Sequence, residues 1–255
     1  MVIKVKDIFL FMNKIAPFEK SMKFDNCGLL IGDANNEVKK VLVALDITKN
    51  VIKEASEIGA DLIISHHPVI FSALKTIKFG SIPDLICKSN INVICAHTNL
   101  DVAETGVNFH LAKSIGLSNL ETLAYEDNLP LGFIGDLSAE LDCKEFALHV
   151  KKSLNCSGIR YTKLNKRIKK VAVCSGSGGE FYEKAYLKGA DALVTGEIKH
   201  SQILAANELP ITIVDAGHFK TENVIVEPLK NELISNFPEI ETFSSKACTD
   251  NINYA

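Results

Sequence analysis

The alternation of short β-branched runs with helical patterns constrains the fold of this sequence more than any other feature. Three apolar runs lie in the first half, at 41–45, 61–65 and 92–96, and three in the second, at 171–175, 191–195 and 211–215. Turn residues bound each run, and helical spacing separates one run from the next. This alternation is typical of an α/β protein.

The two halves of the sequence resemble one another at a fixed offset of 130 residues. Lys39-Lys40-Val41 aligns with Lys169-Lys170-Val171, and Gly59-Ala60-Asp61 aligns with Gly189-Ala190-Asp191, without a gap. Shared turn chemistry explains part of the match, because a glycine often ends a helix before an apolar strand. We still favour an internal duplication.

Duplication predicts two related α/β lobes. We place the first lobe at 1–125 and the second at 126–255, with an irregular join from about 126 to 168. We leave open whether the C-terminal strand pairs in the sheet of the first lobe. The basic run at 164–170 is interpreted as a solvated loop or an edge strand.

The composition is that of an ordinary globular protein. The net charge produces no electrostatic attraction for nucleic acid. The 255 residues are 47% hydrophobic and 23% charged, with a formal net charge of −3. The N-terminal stretch predicts an amphipathic helix, and no run of about 20 apolar residues could span a membrane. Seven scattered cysteines without a C-x-x-C pair are typical of a reducing compartment. We therefore expect a cytoplasmic protein without a membrane or nucleic-acid partner.

Side chains of the kind that bind metals follow three of the predicted strands. In chain order they are His66 and His67, His97 and Asp101, and His218 and Glu222. Loops after the carboxyl ends of strands carry the ligand sites of open α/β sheets. The four-residue spacing of His218 and Glu222 would put both on one helical face, whereas His97 to Asp101 is predicted as a loop.

The adjacent histidines point to two ions rather than one. Neighbouring residues of an extended chain direct their side chains apart, so His66 and His67 suit different ions, and Pro68 stiffens the chain behind them. Carboxylates can bridge two cations and offset their charge, which makes Asp101 a better ligand than His97. The pattern predicts a binuclear centre.

Each of these residues has a structural alternative. His97 could be a buried strand-end histidine bonded to backbone, and Asp101 or Glu222 could cap a helix. Three histidines and two carboxylates at one edge of a predicted sheet are harder to explain as separate coincidences.

The remaining candidate residues give weaker evidence for a functional site. His110, His149 and His200 lack such company and are interpreted as surface or helix-face residues. The loop at 176–179 could cradle a phosphate on backbone N–H groups, but it completes neither P-loop nor Rossmann spacing, so a tight turn is the default.

At these positions the sequence resembles the Nif-three-like family, whose bacterial members are commonly labelled GTP cyclohydrolase 1 type 2 homologues. The resemblance covers most of the chain. It rests on Asp25–Leu29 with Gly32–Asp33, Ser65–Pro68 with Phe71, His97–Asp101 with Gly106–Asn108, Asp191–Gly196, and Gly217–His218 with Thr221–Glu222. Departures from the family pattern, such as Phe24 where Trp is frequent and Cys27 where Val is frequent, remove no proposed ligand.

The resemblance implies two related α/β lobes with a binuclear metal site between them, and assembly into a ring-like homohexamer. Carried over by motif, the metal ligands are His66, His67, Asp101, His218 and Glu222. His97 matches a histidine that lines the site and is the catalytic candidate. The site is expected to hold two divalent ions. Imidazole and carboxylate ligands suit Zn, Fe, Mn, Ni and Co equally.

The enzyme hypothesis is metal-assisted hydrolysis, in which two ions activate water and His97 passes a proton or orients the substrate. A formally positive centre favours a small anionic substrate, such as a nucleotide or another phosphate compound. Cyclohydrolase attack on a purine carbon ranks lower, because the sequence displays no guanine-reading pocket. The alternative is a non-catalytic metal carrier or regulatory scaffold, which a closed coordination shell would favour.

Overall fold

The computed structural model describes residues 2–255 and divides into two compact units. The first unit runs up to Ala103 and includes Val226–Thr249, and the second comprises Glu104–Ile225 and Asp250–Ala255. These bounds differ from the predicted lobes, 1–125 and 126–255. Residues 118–126 form a strand that pairs with 129–141 in the sheet of the second unit, so the boundary lies before this hairpin.

The sheet of the first unit has a mainly parallel arrangement. Its strands are β1 (Gly28–Ile31), β2 (Lys40–Ala44), β3 (Leu62–Ser65), β4 (Asn92–Cys95) and β11 (Glu241–Ser244). They lie in the order β1-β4-β3-β2-β11, and β1 alone among them runs antiparallel to its neighbour. The late strand β11 pairs with β2, with Thr242 opposite Val41.

The sheet of the second unit is mixed. Its strands are β5 (Ser118–Glu126), β6 (Leu129–Leu141), β7 (Arg160–Tyr161), β8 (Ile168–Cys174), β9 (Ala192–Thr195) and β10 (Thr212–Asp215). The order is β5-β6-β8-β9-β10-β7, with β8, β9 and β10 parallel. Because β8 lies between β6 and β9, the end of the basic run at 164–170 enters an interior strand, and its interpretation as a loop or edge strand is wrong there.

Ten α-helices are found within residues 2–255. Those of the first unit are α1 (Val5–Ile15), α2 (Lys49–Ile58), α3 (Ile82–Lys88), α4 (Thr98–Asp101) and α10 (Val226–Asn236). Those of the second unit are α5 (Val107–Ser114), α6 (Cys143–Ser153), α7 (Tyr182–Leu187), α8 (His200–Asn207) and α9 (His218–Glu222). Short 3-10 turns cover Phe18–Lys20, Gly178–Phe181 and Asn223–Ile225. None of the helices described over 2–255 is long and apolar enough to cross a membrane.

Local sequence explains where several of these elements begin and end. The Thr48 hydroxyl accepts a bond from the Val51 N–H at the start of α2, and Gly59 ends this helix at a φ of +70°. Buried faces of α2 and β3, including Val51 and Ile63, share one core cluster. Burying each such side chain contributes roughly 1.5–3 kcal/mol to folding.

The repeat at 130 residues is visible as a repeated local structure. Asp61 Oδ2 accepts bonds from Lys39 N (2.7 Å) and Lys40 N (2.9 Å). Asp191 Oδ2 accepts the equivalent bonds from Lys169 N (3.0 Å) and Lys170 N (2.9 Å). The strand that follows each aspartate pairs in parallel with the strand at the lysine pair: β3 with β2, and β9 with β8. Each unit therefore contains the same aspartate clasp, as duplication predicts.

Replacing either aspartate with alanine should destabilise the protein. We expect Asp61→Ala and Asp191→Ala each to lower the free energy of unfolding by about 1–3 kcal/mol, because two backbone N–H groups lose a charged acceptor. Chemical denaturation measures this change. Glu183→Ala, at an exposed helical position, is the control and should stay within about 0.5 kcal/mol of wild type.

The effect of Asp191→Ala should also depend on pH. Burial would raise the pKa of Asp191, but bonds from Lys166, Lys170 and Lys169 lower it below its ordinary 3.8. A carboxyl whose folded pKa lies below its unfolded value stabilises the fold above about pH 4, and this contribution disappears as the pH falls through the folded pKa. The gap between wild type and variant should therefore shrink in acid, and an unchanged gap at pH 2 would contradict the clasp.

Candidate metal centre

Two strand exits of the first unit bring three imidazoles together. His66 and His67 follow β3, where His66 N bonds Ala44 O (3.2 Å) and His67 N bonds Leu45 O (3.0 Å). His97 follows β4 and precedes α4. One nitrogen from each of the three rings lies within 4.8 Å of the other two, so the cluster could hold a metal ion.

The rings of His66 and His67 do not diverge as residues of a strand would. Their centroids lie 5.0 Å apart, and each is close to His97, at 5.1 Å and 5.4 Å. Strand β3 ends at Ser65, so the alternation of side chains no longer applies to the two histidines. The divergence predicted from an extended chain is therefore wrong.

Each of these imidazoles is oriented through Nδ1. His66 Nδ1 bonds Ala96 O (2.9 Å), His67 Nδ1 bonds Asp46 Oδ1 (2.7 Å), and His97 Nδ1 bonds Asp25 Oδ1 (2.9 Å). A carbonyl or carboxylate oxygen can only accept, so Nδ1 carries the proton in each ring. In the neutral imidazole the lone pair is then on Nε2, the atom available for coordination. Metal-binding histidines almost always have such a partner on their other nitrogen.

Asp25 is the more enclosed of the two carboxylate partners. Its side chain is 0% exposed, and it also accepts bonds from Thr98 N (3.0 Å) and Cys27 Sγ (3.1 Å). Burial would raise the pKa of Asp25, but the bonds from His97, Thr98 and Cys27 lower it well below its usual range. Asp25 is therefore an anion in the folded protein, and it holds the His97 ring in place.

Asp101 joins this cluster from the end of α4. Its Oδ1 lies 3.6 Å from His66 Nε2, and its side chain is 15% exposed. The segment predicted as a loop is thus one helical turn. Asp101 is its last residue, and His97 occupies the N-cap, so Asp101 does not cap the helix.

In the second unit, α9 pairs the remaining two candidates. His218 Nε2 lies 3.0 Å from Glu222 Oε2, which is the four-residue helical relation predicted from their spacing. His218 Nδ1 bonds Glu197 Oε1 (2.9 Å). Glu222 is the last residue of α9, where the helix dipole disfavours a carboxylate, so it does not cap the N-terminus of this helix.

These bonds change the protonation of His218. The bond to Glu222 raises the pKa of His218 to about 9, with help from Glu197 and against the opposing effect of burial. For Glu197, burial would raise the pKa, but bonds from Ser177 and His218 lower it. His218 is therefore cationic at neutral pH in the metal-free protein, and a metal ion binding there would displace a proton.

Two glycines allow close packing against the C-terminal half of α9, one against Glu222 and the other against Thr221. Gly176 has a φ of +55°, and a Cβ atom there would lie 2.2 Å from Glu222 Oε1. A Cβ atom on Gly196 would lie 2.5 Å from Thr221 Oγ1. The turn at 176–179 thus packs against a candidate ligand, a role that its motif alone did not indicate.

The sequence predicts six side chains for the site, and the structure adds three carboxylate partners that the sequence pattern did not predict. The structure brings His66, His67, His97 and Asp101 together in the first unit and joins His218 to Glu222 in the second. Two of the missed carboxylates had a positional signal: Asp46 follows the strand run at 41–45, and Glu197 follows the run at 191–195. Asp25 follows no predicted strand, and in the sequence it stands out only as part of a motif that resembles the family.

The other histidines lie outside both groups. His149 Nε2 bonds Ile115 O (2.8 Å) from α6, and His200 is exposed at the start of α8. His110 is part of α5 and half-buried. None of the three belongs to a candidate metal group within residues 2–255.

Comparison with known proteins places this arrangement in a family. The family model described as Duf34/NIF3 (NGG1p interacting factor 3) matches residues 3–251. A Clostridium perfringens protein named GTP cyclohydrolase 1 type 2 homolog is 34% identical, and the alignment covers 97% of this chain and 98% of that protein.

Solved structures agree with this match. A hypothetical protein from Staphylococcus aureus has a TM-score of 0.94 at 32% identity, with 100% of both chains covered. Reduced HcgD from Methanocaldococcus jannaschii has a TM-score of 0.81 at 30% identity, with 96% of this chain and 99% of that chain covered. The family model spans nearly the whole chain, and the chain therefore belongs to the Duf34/NIF3 family.

Proposed function

We propose that the protein binds two divalent metal ions per chain and uses them to hydrolyse a nucleotide or another phosphate-containing small molecule. The proposed ligands are His66, His67, Asp101, His218 and Glu222. Zn, Fe, Mn, Ni and Co all suit this set of imidazoles and carboxylates. One observation carries the proposal: four imidazoles are each held at Nδ1 by a protein oxygen.

The carboxylate partners add to the fit. Asp46, Asp25 and Glu197 each accept from a histidine, which makes the coordinating nitrogen of that ring more basic. Asp101 and Glu222 supply negative charge that two dications require. Bound ions would contribute Lewis acidity and an activated water for hydrolysis.

His97 is proposed to move the proton. Its Nδ1 is held by Asp25, so Nε2 can accept a proton from water or return one to a leaving group. The anionic Asp25 stabilises the imidazolium that forms, in the manner of a carboxylate behind a catalytic histidine. Asp25 acts through His97 and is a positioning residue.

Removing the charge of a proposed ligand should remove metal. We expect Asp101→Asn and Glu222→Gln each to reduce the metal content at saturation from two ions per chain to one or fewer, because the amides keep the shape but lose the charge. Elemental analysis measures this, and thermal melting of the metal-free proteins checks the fold. The control is Glu232→Gln, at an exposed position of α10. Full occupancy in both ligand variants would refute the assignment.

Hydrolysis should depend on His97 more than metal binding does. We expect the metal-loaded protein to turn over at least one member of a panel of nucleotides and phosphoesters, and His97→Gln to lower kcat by about 10²- to 10⁴-fold. His149→Gln is the matched control, because His149 lies outside both histidine groups. Absence of turnover in a fully metal-loaded protein would contradict the enzyme and support a metal carrier or regulatory scaffold.

A cytoplasmic location and a homohexameric ring are part of the proposal. All seven cysteines are free thiols, which supports a reducing compartment. The first unit exposes large apolar side chains that an assembly could cover, among them Phe24 (66% exposed), Phe71 (51%) and Phe79 (91%).

The hexamer predicts the mass in solution. Multi-angle light scattering should give six times the chain mass of 27.9 kDa, because burial of the apolar surface of each subunit favours association. The measurement should be repeated over a dilution series to separate a stable ring from weak association. A monomer mass at every concentration would rule the hexamer out.

A further inference from the structure

A cavity of about 490 Å³ lies within the second unit, beside the residue that orients His218. Its lining residues come from β7, from residues 177–180, from the loop between β9 and α8, and from the first turn of α8. They are Arg160, Ser177, Glu180, Glu197, Ile198, Lys199 and Gln202. The volume falls within the range of small-molecule sites, which is about 300–1,000 Å³.

The lining offers several hydrogen-bond donors. Arg160 forms an ion pair with Asp215, a buried carboxylate that also accepts from Gly217 N (3.1 Å). This pair uses only some of the five guanidinium N–H donors and fixes where the others point. Gln202 Oε1 accepts from Lys199 N (2.8 Å), so the amide NH₂ group remains as the donor end of Gln202.

The acceptors of the lining are largely occupied. Glu197 Oε1 accepts from His218, and Glu197 Oε2 accepts from Ser177 Oγ (2.7 Å). Its charge is therefore offset within the protein. Glu180 supplies the other carboxylate of the lining. The lining therefore offers the ammonium of Lys199, the amide NH₂ of Gln202 and the guanidinium N–H groups that Asp215 leaves unused, and Glu180 is its one carboxylate that is not offset by the bonds described above.

We propose that this cavity binds a small phosphomonoester, whose phosphate accepts hydrogen bonds from Arg160, Lys199 and Gln202. The planar guanidinium and the ammonium are the side chains best suited to phosphate oxygens. The cavity is larger than a phosphate group needs, so it also encloses part of the organic residue. Glu180 then accepts from a hydroxyl or amine of that residue.

The site deepens the proposed hydrolase function, and its catalytic meaning rests on that function. A ligand in the cavity would lie against Glu197, which bonds His218 at 2.9 Å. Glu197 would then both contact the substrate and orient His218, a proposed metal ligand. Binding itself requires no metal, so it can be tested separately from hydrolysis.

The test uses the full chain after chelation of metal, so that a metal centre cannot hold the probe. Isothermal titration calorimetry with glycerol 3-phosphate measures Kd, and glycerol and inorganic phosphate are the comparison probes. Lys199→Glu reverses a charge on an exposed side chain of the lining. Lys144→Glu makes the same change on an exposed residue of α6 outside the cavity.

We expect glycerol 3-phosphate to bind more tightly than inorganic phosphate, and glycerol not to bind. Lys199→Glu should raise Kd at least about tenfold, which is the scale of one lost charged hydrogen bond. Glu180→Gln should weaken the preference for glycerol 3-phosphate over inorganic phosphate, because a carboxylate acceptor for the organic hydroxyls is lost. Lys144→Glu should leave Kd unchanged.

The outcomes separate the two proposals. Equal weakening by Lys199→Glu and Lys144→Glu would mean attraction by overall charge and would overturn the site, as would the absence of binding to metal-free protein. Arg160→Lys, which keeps the charge beside Asp215 but removes the planar guanidinium, should also raise Kd, and thermal melting of each metal-free variant checks that loss of binding does not follow from unfolding. If the metal-free protein binds the probe while the metal-loaded protein hydrolyses nothing, the cavity stands and the hydrolase fails.

Discussion

An imidazole can present a defined nitrogen to a metal ion only when its other nitrogen is held, and the candidate centre depends on this constraint. In this protein a backbone carbonyl holds His66, and three carboxylates hold His67, His97 and His218. Each holding bond fixes the plane of the ring, and in a neutral ring it also fixes the tautomer. The ends of the strands place the histidines at a sheet edge. These bonds then orient each ring, so that a defined nitrogen can donate its lone pair to a metal ion.

The principal side chains could be found from the sequence because strand exits are a local property. Each apolar run is readable by itself, and the residue that follows it is known as soon as the run ends. The holding carboxylates are not local in this way. Asp25 lies 72 residues from His97 in the chain, and Asp46 lies 21 residues from His67. Which acceptor meets which ring depends on strand order, and the sequence pattern leaves that order open.

Two other differences between sequence and structure have distinct physical causes. The predicted divergence of His66 and His67 assumed that strand geometry continues for two residues beyond Ser65, where pairing has already ended. The predicted lobe boundary assumed that position in the chain decides membership of a sheet. The hairpin of β5 and β6 instead joins the sheet of the second unit through pairing of β6 with β8. The sequence repeat contains the information needed to predict the aspartate clasps, because Asp61 and Asp191 are related by the same offset as the strands they connect.

The pairing of β11 with β2 has a consequence for how the protein is made. A ribosome releases the chain from its N-terminus, so β2 emerges some two hundred residues before β11, its partner on that side. During this interval the outer edge of β2 presents backbone N–H and C=O groups to water or to any other extended chain. The second unit, by contrast, is continuous from Glu104 to Ile225 apart from its C-terminal residues. Its sheet can pair completely while the sheet that began first still lacks β11, so the nascent chain carries an open edge until β11 has been synthesised.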